Sequence, residues 1–242
     1  MPAALLLNPD LRIADWQLKC IDLISHDVKY IYIAKLNTRS THSNVRKLKF
    51  NHALYYLLNL KSIRQHKSVL SESVLQGAEI RYLDYSMTSK GWAELDAKSI
   101  GYILKDSPEY IYKCGLSLLL VPPELDEVPI ISHHHGNPSE YRGRPSGFYE
   151  MLNDEVVVGQ IVQVLSNKLD AGRILAYGES KISAWSYKKT LRDAYEISPY
   201  VFIDALRNLR GRKQVEIIPN GRNYRLPANL LTMRFLASVV LE

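Results

Sequence analysis

The chain has 242 residues, 46% of them hydrophobic, which is enough for the core of one α/β domain with a short appendage. No apolar run approaches the ~20 residues of a membrane span, and the first residues lack a signal-peptide pattern, so we expect a cytoplasmic protein. The net charge of +6 admits an anionic partner, since lysine and arginine attract phosphate groups at long range.

Much of the basic excess lies in two groups of residues. They are Arg39, Arg46, Lys47, Lys49, Lys61, Arg64 and Lys67 in the first third of the chain, and Arg207, Arg210, Arg212, Lys213, Arg222 and Arg225 near its end. Solvated helix faces explain such groups better than a nucleic-acid surface does, so we expect no nucleic-acid partner. The cysteines, Cys20 and Cys114, match no metal-binding or redox spacing, which favours buried thiols in a reducing compartment.

The N-terminal segments alternate between strand and helix patterns. Ala3–Leu7 is a short apolar run that predicts a buried strand, and Trp16–Ile24 has helical periodicity with Asp15 as its N-cap. Val28–Ile33 is a second run of β-branched and aromatic residues. The opening therefore predicts a βα unit, whereas the polar, basic insert at 37–72 allows no clear assignment.

The middle of the chain continues this alternation. Glu79–Leu83 predicts a strand, Trp92–Leu104 a helix, and Tyr110–Cys114 and Ile130–His134 two further strands. Strands that alternate with helices favour βαβ units. We therefore expect an α/β fold with a mostly parallel, twisted sheet flanked by helices.

The last third predicts two strands and a long helix. Val156–Leu165 and Arg173–Tyr177 are joined by a connection too short for a helix, so they should pair antiparallel at one side of the sheet. Ser186–Leu209 predicts an amphipathic helix interrupted or bent at Pro199, because proline removes an intrahelical hydrogen bond.

Histidine and aspartate side chains follow two of these strands. The triplet His133–His135 ends an apolar run, and Asp170 lies 36 residues after His134 in a turn-rich segment. Ligands of parallel sheets gather outside the carboxyl ends of the strands, and side chains alternate along a strand. The outer two histidines should therefore point one way and His134 the other. The two outer histidines share a face but lack a third ligand at metal-binding spacing, so we expect no metal. Asp170 taken alone would be an ordinary turn residue.

A sequence signature surrounds this pair. After His134 come Tyr141-Arg142-Gly143 with Pro145, an acidic residue (Asp154 or Glu155), Val158-Gly159 and Leu169-Asp170-Ala171-Gly172-Arg173. This order resembles the signature of the folate-dependent formyltransferases. Registered on Tyr141-Arg142-Gly143, the family histidine falls on His134 and the family aspartate on Asp170, without a gap. The resemblance covers residues 100–180 well, the N-terminal units in outline, and the C-terminal segment hardly at all.

The resemblance implies a Rossmann-like formyltransferase fold and formyl transfer from 10-formyltetrahydrofolate to a primary amine. It implies that His134 hydrogen-bonds or protonates the oxyanion of the tetrahedral intermediate. It also implies that Asp170 keeps the imidazole cationic and helps to move the proton of the amine. Residues 1–212 would form the catalytic domain, and residues 213–242 an extension that packs on it or forms an interface. The residues expected to bind the folate are Gly136, Asn137, Tyr141, Arg142, Gly143 and Leu169.

Three departures separate the chain from the family pattern. The family asparagine falls on Ser132, which offers a hydroxyl and no amide, so we expect weaker oxyanion stabilisation at this third catalytic position. The loop from Gly136 to Ser139 replaces an apolar one, and Gly159-Gln160-Ile161 stands where Gly-Val-Thr is usual. These changes predict a distant member with its own acceptor, or one that has lost activity.

Several functions stay open at this point. An amino sugar on a nucleotide carrier is favoured over methionyl-tRNA, because the chain ends before the extra domain that a tRNA acceptor would require, and the basic groups suit a diphosphate. Glycinamide ribonucleotide stays open as another acceptor. A non-catalytic member that binds an anionic ligand or a protein, and a hydrolase of formyl-folate, are the alternatives to transfer. The apolar tail Leu230–Leu241 packs internally or forms a homodimer.

Overall fold

The structure, a computed structural model, describes residues 2–37, 50–58 and 67–239. Most of the first basic group and the last residues of the predicted apolar tail lie outside these ranges. The strands are β1 (Ala3–Leu7), β2 (Arg12–Ala14), β3 (Val28–Leu36), β4 (Lys67–Val69), β5 (Glu79–Met87), β6 (Ala93–Leu95), β7 (Tyr110–Lys113), β8 (Ile130–His134), β9 (Tyr141–Gly143), β10 (Val157–Val164), β11 (Arg173–Lys181) and β12 (Arg222–Tyr224). The helices are α1 (Asp15–Asp22), α2 (Ala53–Leu58), α3 (Glu72–Gln76), α4 (Ala97–Asp106), α5 (Phe148–Leu152), α6 (Tyr187–Arg210) and α7 (Asn229–Ser238).

Within the described residues, eight strands form one sheet in the order β11-β10-β8-β7-β1-β3-β5-β6. β1 pairs parallel with β3 and β7, β3 pairs parallel with β5, and β7 pairs parallel with β8. β5 pairs antiparallel with the short edge strand β6. β10 and β11 are neighbours at the other edge, where the sequence predicts them. The predicted α/β class with a mostly parallel sheet flanked by helices is confirmed.

The chain divides into two compact units. Of the described residues, the first unit comprises 2–37, 67–132 and 164–173, and the second comprises 50–58, 133–163 and 174–239. β8 and β10 each contribute residues to both units, since the divisions fall after Ser132 and after Gln163. The separation of residues 1–212 from residues 213–242 stays a prediction.

The first unit has its core on one face of β1. Ala4 and Leu6 alternate with the other residues of that strand and join a fully buried cluster that includes Leu83, Ile103 and Ile111. Ile103 comes from α4, so this helix covers that face of the sheet. Across the parts of the chain that the structure describes, no helix has the length and apolar character to cross a bilayer.

Two predicted helix starts are wrong. The predicted helix Trp92–Leu104 begins only at Ala97, because the Asp96 carboxylate accepts the Ser99 N–H at 2.8 Å and caps the helix, and the residues before it form β6. Asp15 is the first residue of α1 and not its N-cap. Ala14 takes the N-cap position, and its N–H donates to the Gln17 side chain at 3.0 Å.

The second unit is built on aromatic packing around α6. Phe148 of α5 stacks on Phe235 of α7 with ring centroids 4.2 Å apart, and Tyr187 of α6 meets Phe235 edge-on. All three side chains are fully buried. α6 runs unbroken through Pro199, so the predicted interruption there is wrong, whereas the alternative of a bend at Pro199 stays a prediction. Proline at this position removes the one helical hydrogen bond that its own N–H would have donated.

Candidate active site

His134 ends β8 in the second unit and is almost completely buried, with 9% of its surface exposed. Its Nε2 atom lies 3.0 Å from the Tyr141 carbonyl oxygen. A carbonyl oxygen can only accept, so Nε2 must carry the hydrogen and donate it. The neutral ring therefore has its hydrogen on Nε2, and Nδ1 is the atom whose protonation makes the ring cationic.

Gly136 makes room for this hydrogen bond. A Cβ atom at this position would lie 2.7 Å from His134 Nε2 and 2.8 Å from the Tyr141 carbonyl oxygen, both of them shorter than real contacts of a Cβ. The oxygen belongs to the backbone and cannot rotate away. Glycine at 136 is therefore required by the position of the imidazole, and this gives a steric reason for its place beside the predicted catalytic histidine.

Gly136→Ala is expected to displace the His134 ring and lower turnover at least ~10-fold, because small displacements of a catalytic group are costly. Turnover and the NMR signal of the His134 Nε2–H would report the effect. Gly101→Ala in α4 is the matched control, since a Cβ there meets nothing within 4 Å. Equal turnover in the two variants would contradict the role given to Gly136.

The loop after His134 is held by its own side chains. Asn137 Oδ1 accepts the N–H of Ser139 at 3.1 Å and its hydroxyl at 2.8 Å, which is an Asx turn. The carbonyl of Asn137 also accepts the N–H of Tyr141 at 2.6 Å. A Cβ on Gly159 would lie 3.0 Å from Asn137, so glycine at 159 lets β10 approach this turn. Asn137 is therefore a turn-forming residue in this structure.

Tyr141-Arg142-Gly143 forms β9, which pairs parallel with β12. Arg142 Nε donates to the Gly221 carbonyl at 2.8 Å, so the guanidinium braces the C-terminal segment against the loop. The Tyr141 hydroxyl donates to Glu155 at 2.8 Å and accepts from Asn153 at 3.0 Å. Of the two acidic candidates for the signature, Glu155 is thus the one that contacts Tyr141.

A small cavity of about 10 Å³ lies beside His134, with Tyr141, Arg142 and Glu150 in its wall. Glu150 of α5 is only 2% exposed, and burial raises the pKa of its carboxyl group to about 8. The carboxyl group also accepts the N–H of Gly147, the N-cap of α5. Sequence reasoning missed Glu150. Its position three residues after Gly147 indicates a cap, but no local pattern indicates its burial.

The outer histidines of the triplet face α6, and their predicted alternation with His134 is confirmed. His133 Nε2 donates to the Ser198 carbonyl at 3.3 Å. His135 Nε2 lies 3.0 Å from the Ser198 hydroxyl, whose oxygen is 3.0 Å from Gln160 Oε1 and donates to it, so the histidine is the donor there too. Burial lowers the pKa of His133 to about 4 and that of His135 well below its usual range.

These two histidines act as neutral donors that anchor α6. Gln160 completes the network, since its Nε2 donates to the Ala194 carbonyl at 2.7 Å and its side chain is fully buried. Over the ranges 2–37, 50–58 and 67–239, no group of three or more histidine, cysteine, aspartate or glutamate side chains could hold a metal ion.

The remaining predicted site residues belong to the first unit. Ser132 is buried in β8, and Leu169 and Asp170 are half-buried in the loop between β10 and β11. Asp170 has φ +45°, a left-handed conformation that aspartate tolerates better than most residues. The structure therefore brings together His134, Gly136, Tyr141, Arg142 and Gly143 in one unit. It places Ser132, Leu169 and Asp170 in the other.

No protein-family model matches the sequence, and neither does any curated protein. Solved structures do match. WlaRD, a sugar 3N-formyl transferase solved with dTDP and 5-N-formyl-THF, has a TM-score of 0.55 at 10% identity, over 93% of this chain and 69% of that one. The N-formyltransferase from Helicobacter canadensis, solved with folinic acid and dTDP-3-aminofucose, has a TM-score of 0.53 at 11% identity, over 93% and 70%.

A formyltetrahydrofolate deformylase from Pseudomonas putida KT2440 also matches, with a TM-score of 0.50 at 15% identity over 87% of this chain and 65% of that one. Identities this low establish the fold alone. The chain is a distant protein of the formyltransferase fold, as the sequence signature predicts.

Proposed function

We propose that this protein transfers a formyl group from 10-formyltetrahydrofolate to a primary amine, and that the amine is an amino sugar on a nucleotide carrier. The observation that carries the proposal is His134, fixed at the carboxyl end of β8 by the Tyr141 carbonyl, on a fold shared with two N-formyltransferases whose structures contain dTDP or a dTDP-sugar. We expect the acceptor to be anionic and the location to be the cytoplasm.

The residues suit this donor chemically. When bound, the donor supplies an electrophilic formyl carbon, and attack by the amine makes its oxygen negative. His134 would donate a hydrogen bond to that oxygen. Since its Nε2–H is already donated to Tyr141, this second donation must come from Nδ1 and needs the imidazolium form. Asp170 would accept the proton that the amine loses.

Substrate orientation falls to the loop that follows His134. The Gly221 carbonyl holds Arg142, and Glu155 holds Tyr141. Ligand binding therefore does not have to order either side chain, which lowers the entropic cost of binding. We propose that these two residues, with Gly136, Asn137, Gly143 and Leu169, contact the folate. Ser132 is the third catalytic candidate.

The proposal is tested by incubating the protein with 10-formyltetrahydrofolate and a panel of dTDP-linked amino sugars, and measuring released tetrahydrofolate. Release that requires the amine supports transfer. Release without any amine supports hydrolysis, the second candidate, which the similarity to a deformylase favours. Binding of the folate without release would support a non-catalytic protein.

His134→Gln separates catalysis from structure. A glutamine amide can replace Nε2–H as the donor to Tyr141 but cannot act as an acid, so we expect turnover to fall ~10²-fold or more with little change in melting temperature. Asp170→Asn is expected to reduce turnover similarly, because an amide cannot accept the amine proton. Full activity in His134→Gln would overturn the role of the imidazole.

A further inference from the structure

Three consecutive histidines compete for a proton at the end of β8. The proposed function needs the charge on His134, because its Nε2–H is already donated to Tyr141 and a second donation must come from a protonated Nδ1. His133 and His135 face α6, with their rings nearly parallel and their centroids 6.1 Å apart. A positive charge on either outer ring would oppose a charge on His134, since like charges disfavour each other.

Ser198 of α6 holds both outer histidines. Its carbonyl oxygen accepts the Nε2–H of His133 at 3.3 Å, and its hydroxyl oxygen lies 3.0 Å from His135 Nε2. Ser198 is fully buried. Its carbonyl and hydroxyl are neutral groups, so neither favours a charged ring in the way that a carboxylate would. One serine thus fixes the direction of both rings without stabilising a charge on them.

Gln160 determines how the Ser198 hydroxyl is used. The Gln160 side chain is fully buried, and its Nε2 donates to the Ala194 carbonyl at 2.7 Å, which turns Oε1 towards Ser198. The hydroxyl hydrogen then points to Oε1 at 3.0 Å or to the Ala194 carbonyl at 3.3 Å. With either acceptor the hydrogen is used, so the hydroxyl oxygen accepts from His135. The hydrogen of the neutral His135 ring is therefore fixed on Nε2.

This network explains one departure from the family pattern. Gly159-Gln160-Ile161 stands where Gly-Val-Thr is usual. A valine side chain would offer no acceptor to the Ser198 hydroxyl and no donor to the Ala194 carbonyl. The glutamine is therefore the residue that makes the Ser198 hydroxyl an acceptor for a histidine.

We propose that Gln160 and Ser198 are positioning residues for His134. They keep the two outer histidines as neutral donors, so that the central histidine alone takes the charge that the oxyanion requires. The inference rests on the proposed function, whereas the hydrogen-bond network is independent of it. An anchor for α6 alone would be indifferent to the charge of the rings, so the experiments must change that charge.

The surroundings of His135 also disfavour its charged form. Burial, together with the charges of His133 and His134, lowers the pKa of His135 well below its usual range. Tyr195 meets its ring edge-on, with the centroids 4.8 Å apart. The cavity beside His134 also reaches His135, and the charged or titratable side chains in the rest of its wall are Arg142, Arg144, Glu150, Tyr141, Tyr149 and Tyr224. The two arginines are cations, and the carboxyl group, whose pKa burial raises to about 8, is protonated at pH 7.

The first experiment needs no substrate. Nitrogen NMR of the imidazole rings distinguishes neutral Nε2–H, neutral Nδ1–H and charged forms, and changing one histidine at a time to glutamine assigns the signals. At pH ~6, where an ordinary histidine is largely charged, we expect His133 and His135 to be neutral with the hydrogen on Nε2. The exposed His26 is the reference in the same spectrum. A charged outer ring, or a hydrogen on Nδ1 of His135, would overturn the proposal.

The second experiment changes the charge at position 198 while the size stays constant. Ser198→Asp places a carboxylate at His135 Nε2 and should make that ring cationic, whereas Ser198→Asn offers a neutral oxygen on a side chain of the same size. At pH 7 we expect kcat to be at least ~10-fold lower in Ser198→Asp than in Ser198→Asn, with the same KM for the amine, because a second charge opposes protonation of His134. Equal kcat values, with NMR showing a charged His135 in Ser198→Asp, would overturn the proposal.

Gln160→Glu is a second route to the same charge if Ser198→Asp does not fold. It keeps an acceptor for the Ser198 hydroxyl and adds a negative charge, so kcat should fall in the same direction. Wild-type kcat together with a charged His135 would contradict the proposal here as well. Asn208→Asp is the control for a new carboxylate on α6, about 15 Å along the helix from Ser198. It removes the 2.7 Å hydrogen bond to the Leu175 carbonyl, so it should lower the melting temperature and leave kcat as in wild type.

The two hypotheses fail separately. If wild type releases no tetrahydrofolate with any amine while NMR shows two neutral Nε2–H rings, the proposed function is wrong and the neutral network stands. If wild type transfers formyl groups and Ser198→Asp has a charged His135 with the kcat of Ser198→Asn, the positioning role is wrong and the function stands.

Discussion

Gly143→Ala is expected to lower the free energy of unfolding by ~3 kcal/mol or more. Gly143 has φ +88°, and a Cβ there would lie 2.2 Å from the Tyr224 carbonyl oxygen. Both are backbone constraints, so no side chain can move to relieve them. The substitution should separate β9 from β12 and release the Arg142 brace, which would be visible as lower stability in urea and faster exchange of the Arg144 N–H, now donated to Tyr224.

Substitutions at two other glycines allow the cost of the backbone conformation to be measured separately from the cost of steric overlap. Gly91 has φ +81°, and a Cβ there would meet nothing within 4 Å, so Gly91→Ala should show the conformational cost alone, ~1–2 kcal/mol. Gly221→Ala should show the overlap, because its Cβ would lie 2.4 Å from the Glu140 nitrogen. If Gly143→Ala and Gly91→Ala cost the same, the close approach of the two strands contributes nothing.

Acid should unfold the wild-type protein more readily than a variant with both His133→Gln and His135→Gln. The native state holds these rings neutral, with the pKa of His133 lowered to about 4, whereas both titrate normally when unfolded. A lowered native pKa gives stability that is complete above pH ~6.5 and is lost as the pH falls towards 4. We expect a loss of a few kcal/mol across this window.

The double variant keeps amide donors for Ser198 and cannot titrate, so its stability should change much less between pH 7 and pH 4.5. Urea unfolding at each pH measures the difference from wild type, and other titrating groups, Glu150 among them, cancel in it. His26→Gln is the matched control, since His26 is exposed. Equal acid sensitivity in wild type and the double variant would show that the buried pair does not control acid unfolding.

Local patterns predicted the sheet and the orientation of His134, because alternation along β8 needs only five consecutive residues. The helix boundary at Asp96 was missed for an equally local reason, since its capping bond to Ser99 outweighs the apolar periodicity that begins at Trp92. Other features could not be predicted. The burial of Glu150 depends on distant segments, and no periodicity records them.

The sequence signature could be recognised because the spacing of its residues is fixed. The physical reason for those residues could not be predicted from the sequence. The local sequence around Gly136 and Gly159 does not indicate that these glycines leave room for His134 and Asn137, and only the structure shows it. The partners of the outer histidines on α6 lie more than 60 residues further along the chain. Such pairs are invisible to a window that moves along one segment.

Arg142 contacts Gly221, which lies 79 positions further along the chain. β12, the strand that pairs with β9, therefore leaves the ribosome long after His134 does. The parallel pairs of β1 with β3 and β7 involve segments made earlier, and they can form first. A growing chain would therefore hold much of its sheet while the imidazole still lacked a fixed loop, so chemical competence would come among the last steps of folding.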